Sequence, residues 1–143
     1  MNVKTILAAK GGDIIGIEPT ANLAAAAKLL SKHRIGAVVI RGAGGRLAGI
    51  LSERDIVRAM AEHGAAALDI PVGQAMTRNV MTCGENDSIA ELMERMTSGK
   101  FRHLPVLNAE QLVGVISIGD VVKMRVQEIE TDAAAMRDYI QTA

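Results

Sequence analysis

Apolar residues along this chain fall into two blocks of the same design. In the first, residues 14–17 form a short apolar run closed by Pro19, which predicts a strand. Leu23, Ala26, Ala27 and Leu30 then recur at i, i+3, i+4, i+7, the stripe of a helix with one buried face, and Asn22 stands where its cap belongs. Residues 35–40 are apolar and rich in β-branched side chains, a second strand. A Gly-rich turn over residues 41–46 leads into a third strand at 47–51. A helix follows from about Glu53 to His63 and stops at Gly64.

The second block repeats this order. Ser88 and Glu91 have the spacing of a capping box, followed by a stripe of Ile89, Leu92, Met93 and Met96. Strands are predicted at 104–107 and 112–116, joined by the polar turn 108–111. Each block therefore reads β-α-β-β-α, and residues 65–71, ending in Pro71, connect them. The last helix, from about Gly119 to Ile140, outruns its counterpart. Val122, Val126, Ile129, Ala133, Met136 and Ile140 lie along it at 4-3-4-3-4 spacing, which suits either packing on its own domain or pairing across a dimer.

The correspondence is residue by residue. Ile14-Ile15-Gly16-Ile17 matches Val80-Met81-Thr82-Cys83 at an offset of 66, as do Leu23 with Ile89 and Leu30 with Met96. Residues 3–7 resemble 72–76 at an offset of 69. The plainest match is Gly49-Ile50-Leu51-Ser52-Glu53-Arg54-Asp55 with Gly114-Val115-Ile116-Ser117-Ile118-Gly119-Asp120, at an offset of 65. A period of this size marks duplicated supersecondary units. The chain divides into a first repeat with its lead-in (1–64), a second repeat (72–125) and a helical extension (126–143).

Each Ser-x-x-Asp stands where a strand ends and a helix begins. A hydroxyl and a carboxylate are thereby placed at a helix N-terminus, where a phosphate and a ribose can be held side by side. The same spacing is also an ordinary capping box that binds nothing. Its recurrence at repeat-related positions, each time after Gly and an apolar pair, favours a ligand.

Composition narrows the classes. The 143 residues carry 16 basic and 16 acidic side chains, so there is no general excess of charge for a nucleic-acid or membrane surface. Phe101 and Tyr139 are the only aromatics, which leaves base stacking on aromatic platforms without material. Cys83 is the single cysteine, so no intrachain disulfide forms; it falls on an apolar strand and reads as core. His33, His63 and His103 lack metal-ligand spacing, and no Ser/His/Asp or Cys/His set offers an activated nucleophile. With no signal peptide or spanning apolar run, a cytoplasmic protein is expected. A hydrophobic content of 49% supports a real core, and each half, at roughly 60 residues, is marginal alone.

Two β-α-β-β-α units ending in Gly-h-h-Ser-x-x-Asp, with Arg102-His103-Leu104-Pro105-Val106 in the second, resemble a tandem pair of CBS domains, a Bateman module, over residues 12–125. More specifically the chain resembles small stand-alone bacterial CBS-pair proteins. The resemblance implies an α+β fold of α/β-like character in which two repeats pack as one pseudo-symmetric module. It also implies a non-catalytic regulatory role, with AMP, ADP, ATP, NAD or S-adenosylmethionine held between the repeats. AMP is favoured, no cofactor is required, and a homodimer acting on an unknown effector is implied.

Carried onto this chain, the phosphate-contacting Ser falls on Ser52 and Ser117, the ribose-holding Asp on Asp55 and Asp120, and the polar or basic pair on Arg102 and His103. The first repeat has Gly36 and Ala37 at that pair, so one site, or two unlike sites, is implied. Lys100 shares a strand face with Arg102, and Arg54 is a cation at a helix start, where the dipole disfavours it. Adenine is expected against Ile14, Ile15, Val80 and Met81. Two rivals stay open: a dimerisation scaffold with empty clefts, and a nucleotide-processing enzyme using His103 as base.

Overall fold

The computed structural model describes residues 1–11 and 13–142. In chain order the elements are helix α1 (Val3–Lys10), strand β1 (Gly16–Ile17), α2 (Leu23–His33), β2 (Ala37–Arg41), β3 (Leu47–Ser52), α3 (Glu53–His63) and α4 (Val72–Ala75). Then come β4 (Cys83–Gly84), α5 (Ile89–Gly99), β5 (His103–Asn108), β6 (Gln111–Ser117) and α6 (Ile118–Thr142). The β-α-β-β-α order holds in both repeats. The connection at Gly64–Asp69 is a 3-10 helix that buries Ala67.

Each repeat makes one three-stranded sheet, ordered β1-β2-β3 and β4-β5-β6. The outer pairing is parallel and the hairpin antiparallel in both: Gly16 faces Val39 and Val39 faces Ile50, as Cys83 faces Val106 and Val106 faces Gly114. Middle strands β2 and β5 are apolar on both faces, with Val38, Val39 and Ile40 buried in one and Leu104, Pro105 and Val106 in the other. Pro105 sits mid-ladder, opposite Val115. The hairpin turns differ. The first is a 3-10 turn at Ala43–Gly45 with Gly44 and Gly45 at positive φ. The second puts Ala109 and Glu110 there.

The lead-in segments are exchanged. α1 precedes the first repeat but packs on the second: Val3 and Ile6 share a core with Ile89, Leu92, Leu104, Ile116 and Val121. The Val3 and Lys4 N–H groups donate to the Asp87 and Glu85 carbonyls. α4 precedes the second repeat and packs on the first, with Val72 in the core of Leu23, Val38, Ile40 and Leu51. Its Val72 N–H donates to Ala21, and Thr77 exchanges both backbone bonds with Ile50.

The exchange explains the glycine that opens each repeated motif. A Cβ on Gly49 would lie 2.7 Å from Met76 Sδ and from the Thr77 carbonyl, and one on Gly114 would lie 2.5 Å from Leu7 Cδ2. At Gly49, where the obstacle includes a backbone carbonyl, only a bare backbone allows the approach; at Gly114 a Cβ would force the Leu7 side chain to move. Two sheets thus become one body, each core completed by a segment from beside the other.

Local expectations hold with three adjustments. β1 and β4 are two residues long, shorter than the apolar runs that announced them. Asn22 caps α2 by accepting from Ala25 N–H, but Ser88 makes only half of the predicted box, accepting from Glu91 N–H. α6 starts at Ile118 and reaches Thr142, and its seam is exposed beyond Met124. No helix among the described residues is long and apolar enough to cross a membrane.

Candidate functional site

Two clefts open where the repeats face each other. One, of about 330 Å³, is built on the end of β3 and the start of α3: Ser52, Glu53, Arg54 and Asp55. Thr77, Asn79, Val80 and Met81 form one wall, and Lys100 to His103 of the other repeat form the opposite one. The second, of about 510 Å³, is its pseudo-symmetric counterpart. The end of β6 and start of α6 give Ser117, Gly119 and Asp120; Asp13 and Ile15 form one wall, and Arg34 to Ala37 the other. Lys10 lines this second cleft, and Arg102 and His103 line both.

The corners are built alike. The Ser52 N–H donates to Asp55 Oδ2 at 2.9 Å and the Asp55 N–H to Ser52 Oγ at 3.4 Å. Ser117 and Asp120 repeat the exchange at 2.9 and 3.2 Å. The first helical N–H then bonds to the residue just before the middle strand of its own repeat, Glu53 to the Gly36 carbonyl and Ile118 to the Arg102 carbonyl. The reciprocal cap fixes Ser and Asp, and this second bond ties the helix start to the sheet of its own repeat.

Their electrostatics differ. Asp55 is buried, with Arg58 at 3.5 Å behind it. Asp120 is held by Lys10, whose ammonium donates to its Oδ2 at 2.8 Å and to the Val115 carbonyl at 2.9 Å. Burial opposes ionisation of Asp120, but the bonds from Lys10 and the Ser117 N–H outweigh it and hold the carboxyl below its usual range. His103 stands between the clefts: a Cβ on Gly36 would lie 3.3 Å from its Cε1 and 3.8 Å from Glu53 Oε1. Its burial and the nearby Lys10 push the imidazole pKa down, against the pull of Glu53 and Asp120. Among the described residues Arg54, Lys100 and Arg102 form no ion pair, so three cations converge on the first cleft without carboxylate partners. Cys83 lies apart, buried on β4, its thiol pushed up to about 12 by burial.

Ser52, Arg54, Asp55, Lys100, Arg102, His103, Val80 and Met81 come together in the first cleft. Ser117, Asp120 and Ile15 come together in the second, again with Arg102 and His103. The expectation that Ile14, Ile15, Val80 and Met81 enclose one adenine is corrected. The pseudo-symmetry sends Val80 and Met81 to one cleft and Ile15 to the other, and Ile14 lines neither.

Lys10 and Arg34 were missed. Arg34 was legible as the partner of Lys100 at the same offset of 66. Both end their helices in left-handed conformation, with φ of 54° and 56°. Lys10 was not legible, because nothing in its own segment shows that α1 crosses to the other repeat. Together they supply the second cleft with the charge that Gly36 and Ala37 lack.

The family model described as "CBS domain" matches twice, at residues 7–62 and 72–126. The chain belongs to the CBS-domain family. The crystal structure of a CBS-domain containing protein from Agrobacterium tumefaciens is 48% identical and superposes with a TM-score of 0.84, covering 87% of this chain and 99% of that one. A CBS domain protein from Pyrobaculum aerophilum, solved in complex with AMP, is 29% identical at a TM-score of 0.74, covering 84% and 89%. The mitochondrial CBS domain-containing protein CBSX3 of Arabidopsis thaliana is 33% identical over 120 residues, 81% of this chain. The chain spans 58% of the length of that plant relative. The two repeats form a CBS pair, and mixed three-stranded sheets with flanking helices are the fold it shares with those structures.

Proposed function

We propose that this CBS pair is a non-catalytic regulatory module that binds an adenine nucleotide, AMP first among them, between its repeats. The observation that carries the reading is the convergence of Arg54, Lys100 and Arg102, unpaired among the described residues, on a corner that also presents the Ser52 hydroxyl and the buried Asp55 carboxylate. Cations facing one cleft at a helix N-terminus suit a phosphate, through charge-assisted bonds that Arg makes bidentately. An Asp beside them suits ribose hydroxyls, which donate to it. Val80 and Met81 offer an apolar wall for a base. The AMP complex of the Pyrobaculum aerophilum protein, a member of the same fold family, supports the choice of ligand.

In mechanism the nucleotide touches both repeats at once, corner from one and cations from the other. A ligand that binds one relative orientation better shifts the population toward it, and an effector protein reads the change. A homodimer, ATP or NAD as alternative ligands, and the identity of that effector belong to the same proposal.

One observation favours the rival scaffold. The reciprocal caps satisfy Ser52, Asp55, Ser117 and Asp120 without any ligand. Titration with AMP, ADP, ATP and NAD decides. A ligand confined to the folded cleft stabilises by about 2.7 kcal/mol at 100 times its Kd, raising Tm. No shift with any of the four at millimolar concentration would leave the scaffold reading standing.

A further inference from the structure

Lys10 is the last residue of α1. A lysine in a last helical turn ordinarily serves the carbonyls and the dipole of its own helix. This one reaches into the second repeat. Its ammonium donates to the Val115 carbonyl at 2.9 Å, 105 positions away, and to Asp120 Oδ2 at 2.8 Å, 110 positions away. The packing of α1 on the second core brings it there, and it lines the second cleft.

Asp120 Oδ2 is thereby filled. It accepts the Ser117 N–H at 2.9 Å as well as the ammonium, and a carboxylate oxygen has about two lone pairs to offer. A ribose held through both hydroxyls needs both carboxylate oxygens, so it takes Oδ2 only when Lys10 leaves. The first cleft is built otherwise. Asp55 Oδ2 accepts from the Ser52 N–H at 2.9 Å and from the Ser52 hydroxyl at 3.2 Å, and a hydroxyl rotates away without separating opposite charges. Arg58, 3.5 Å from Asp55 Oδ1, does not line that cleft, and the wall that follows α4 presents the neutral Thr77 and Asn79.

What offsets the loss of the Lys10–Asp120 pair depends on the ligand. A nucleoside offers the displaced ammonium nothing. A nucleotide brings a phosphate to the Ser117 corner, beside the oxygen that Lys10 has left, and a flexible stem with three donors lets the lysine turn to it. We infer that Lys10 is a specificity-determining residue of the second cleft: it withholds Asp120 from a ribose unless a phosphate takes the ammonium in exchange. On the nucleotide reading of the proposed function, on which this rests, the second cleft then selects phosphorylated ligands over nucleosides more sharply than the first.

The test is a pair of titrations, AMP and adenosine, on the full-length chain. They are followed by NMR at the Asp120 carboxyl, which lines only the second of the two clefts, and at the Asp55 carboxyl, which lines only the first. At Asp120, K10M should weaken AMP on the order of tenfold and tighten adenosine about threefold. K10R, which keeps a cation, should preserve the preference for AMP. At Asp55 neither variant should alter the ratio of the two affinities. A purely structural role for Lys10 would move both ligands in the same direction. Equal losses, equal gains or no change at Asp120 overturn the inference, and so does the same change of ratio at both carboxyls, which would be a general loss of positive field. AMP felt at Asp55 and not at Asp120 overturns it while leaving the nucleotide reading in place. No response of either carboxyl to AMP in the unaltered chain overturns the nucleotide reading itself.

Discussion

Arg34 and Lys100 each close a helix in left-handed conformation, and each lines a cleft. Glycine holds such a C-cap without strain, whereas a side chain there costs roughly 1 kcal/mol. Two cations kept at equivalent strained positions have a use that offsets the cost, and phosphate recognition is that use in the proposed function. K100G should therefore stabilise the fold, raising Tm, while weakening AMP binding; differential scanning calorimetry and a titration read the two effects. A higher Tm with unchanged AMP affinity would remove Lys100 from the site.

Lys10 sets the proton balance of the second cleft. Asp120, held below the usual carboxylate range, contributes stability that is in place above its unfolded value near 3.9 and is lost as pH falls through its lower native value. His103, held low chiefly by burial and then by Lys10, takes a proton more readily when unfolded, so stability falls as pH drops through about 6.5 toward its native value. K10M removes a donor from one group and a repelling cation from the other. Both native pKa values should rise, followed by NMR titration of the His103 ring and the Asp120 carboxyl. Unmoved titrations would mean that Lys10 spends its time in solvent.

At the scale of elements, helices were the most legible parts, because their stripes and caps are local. Asn22 and Leu23 mark the start of α2 as clearly as Gly64 marks the end of α3. β1 and β4 were overestimated because an apolar run does not say how much of itself pairs. The likeness of residues 3–7 to 72–76 was visible, yet the exchange of α1 and α4 between cores was not. It is a long-range contact, and its one sequence trace is the bare backbone of Gly49 and Gly114. Placing Ile14 and Ile15 with Val80 and Met81 failed for the same reason, since repeat symmetry shows equivalence and not proximity.

The exchange has a measurable consequence. V3A deletes two methyl groups from a fully buried site in the second core and should cost about 2–3 kcal/mol. Its effect on hydrogen exchange should fall first on β5 and β6, the strands of that core, rather than on neighbouring β2. V72A should do the reverse, loosening β2 and β3. Protection lost from the sheet nearest in sequence would contradict the exchange.

In the whole molecule the two clefts share a wall, because Arg102 and His103 line both. The sequence places charge reading mainly in the second repeat, since Gly36 and Ala37 stand where Arg102 and His103 would be, with Arg54 the first repeat's candidate. The geometry spreads it: the second cleft has Lys10 and Arg34, and the first has Arg54 where the other has Gly119. On the proposed function, replacing Arg102 by Gly and His103 by Ala removes charge from both sites together. Asp55→Ala and Asp120→Ala then separate the sites, each disabling ribose contact in one cleft, at on the order of 1–3 kcal/mol of affinity. In each single-Asp background the added Arg102→Gly/His103→Ala change should weaken AMP far more than adenosine, which carries no phosphate. Calorimetric titration of both ligands gives the comparison. Equal losses would mean the pair only shapes the clefts. A loss confined to the Asp120→Ala background, where the first cleft is the one left, would confine the pair's charge to that cleft and leave phosphate in the second to Lys10 and Arg34.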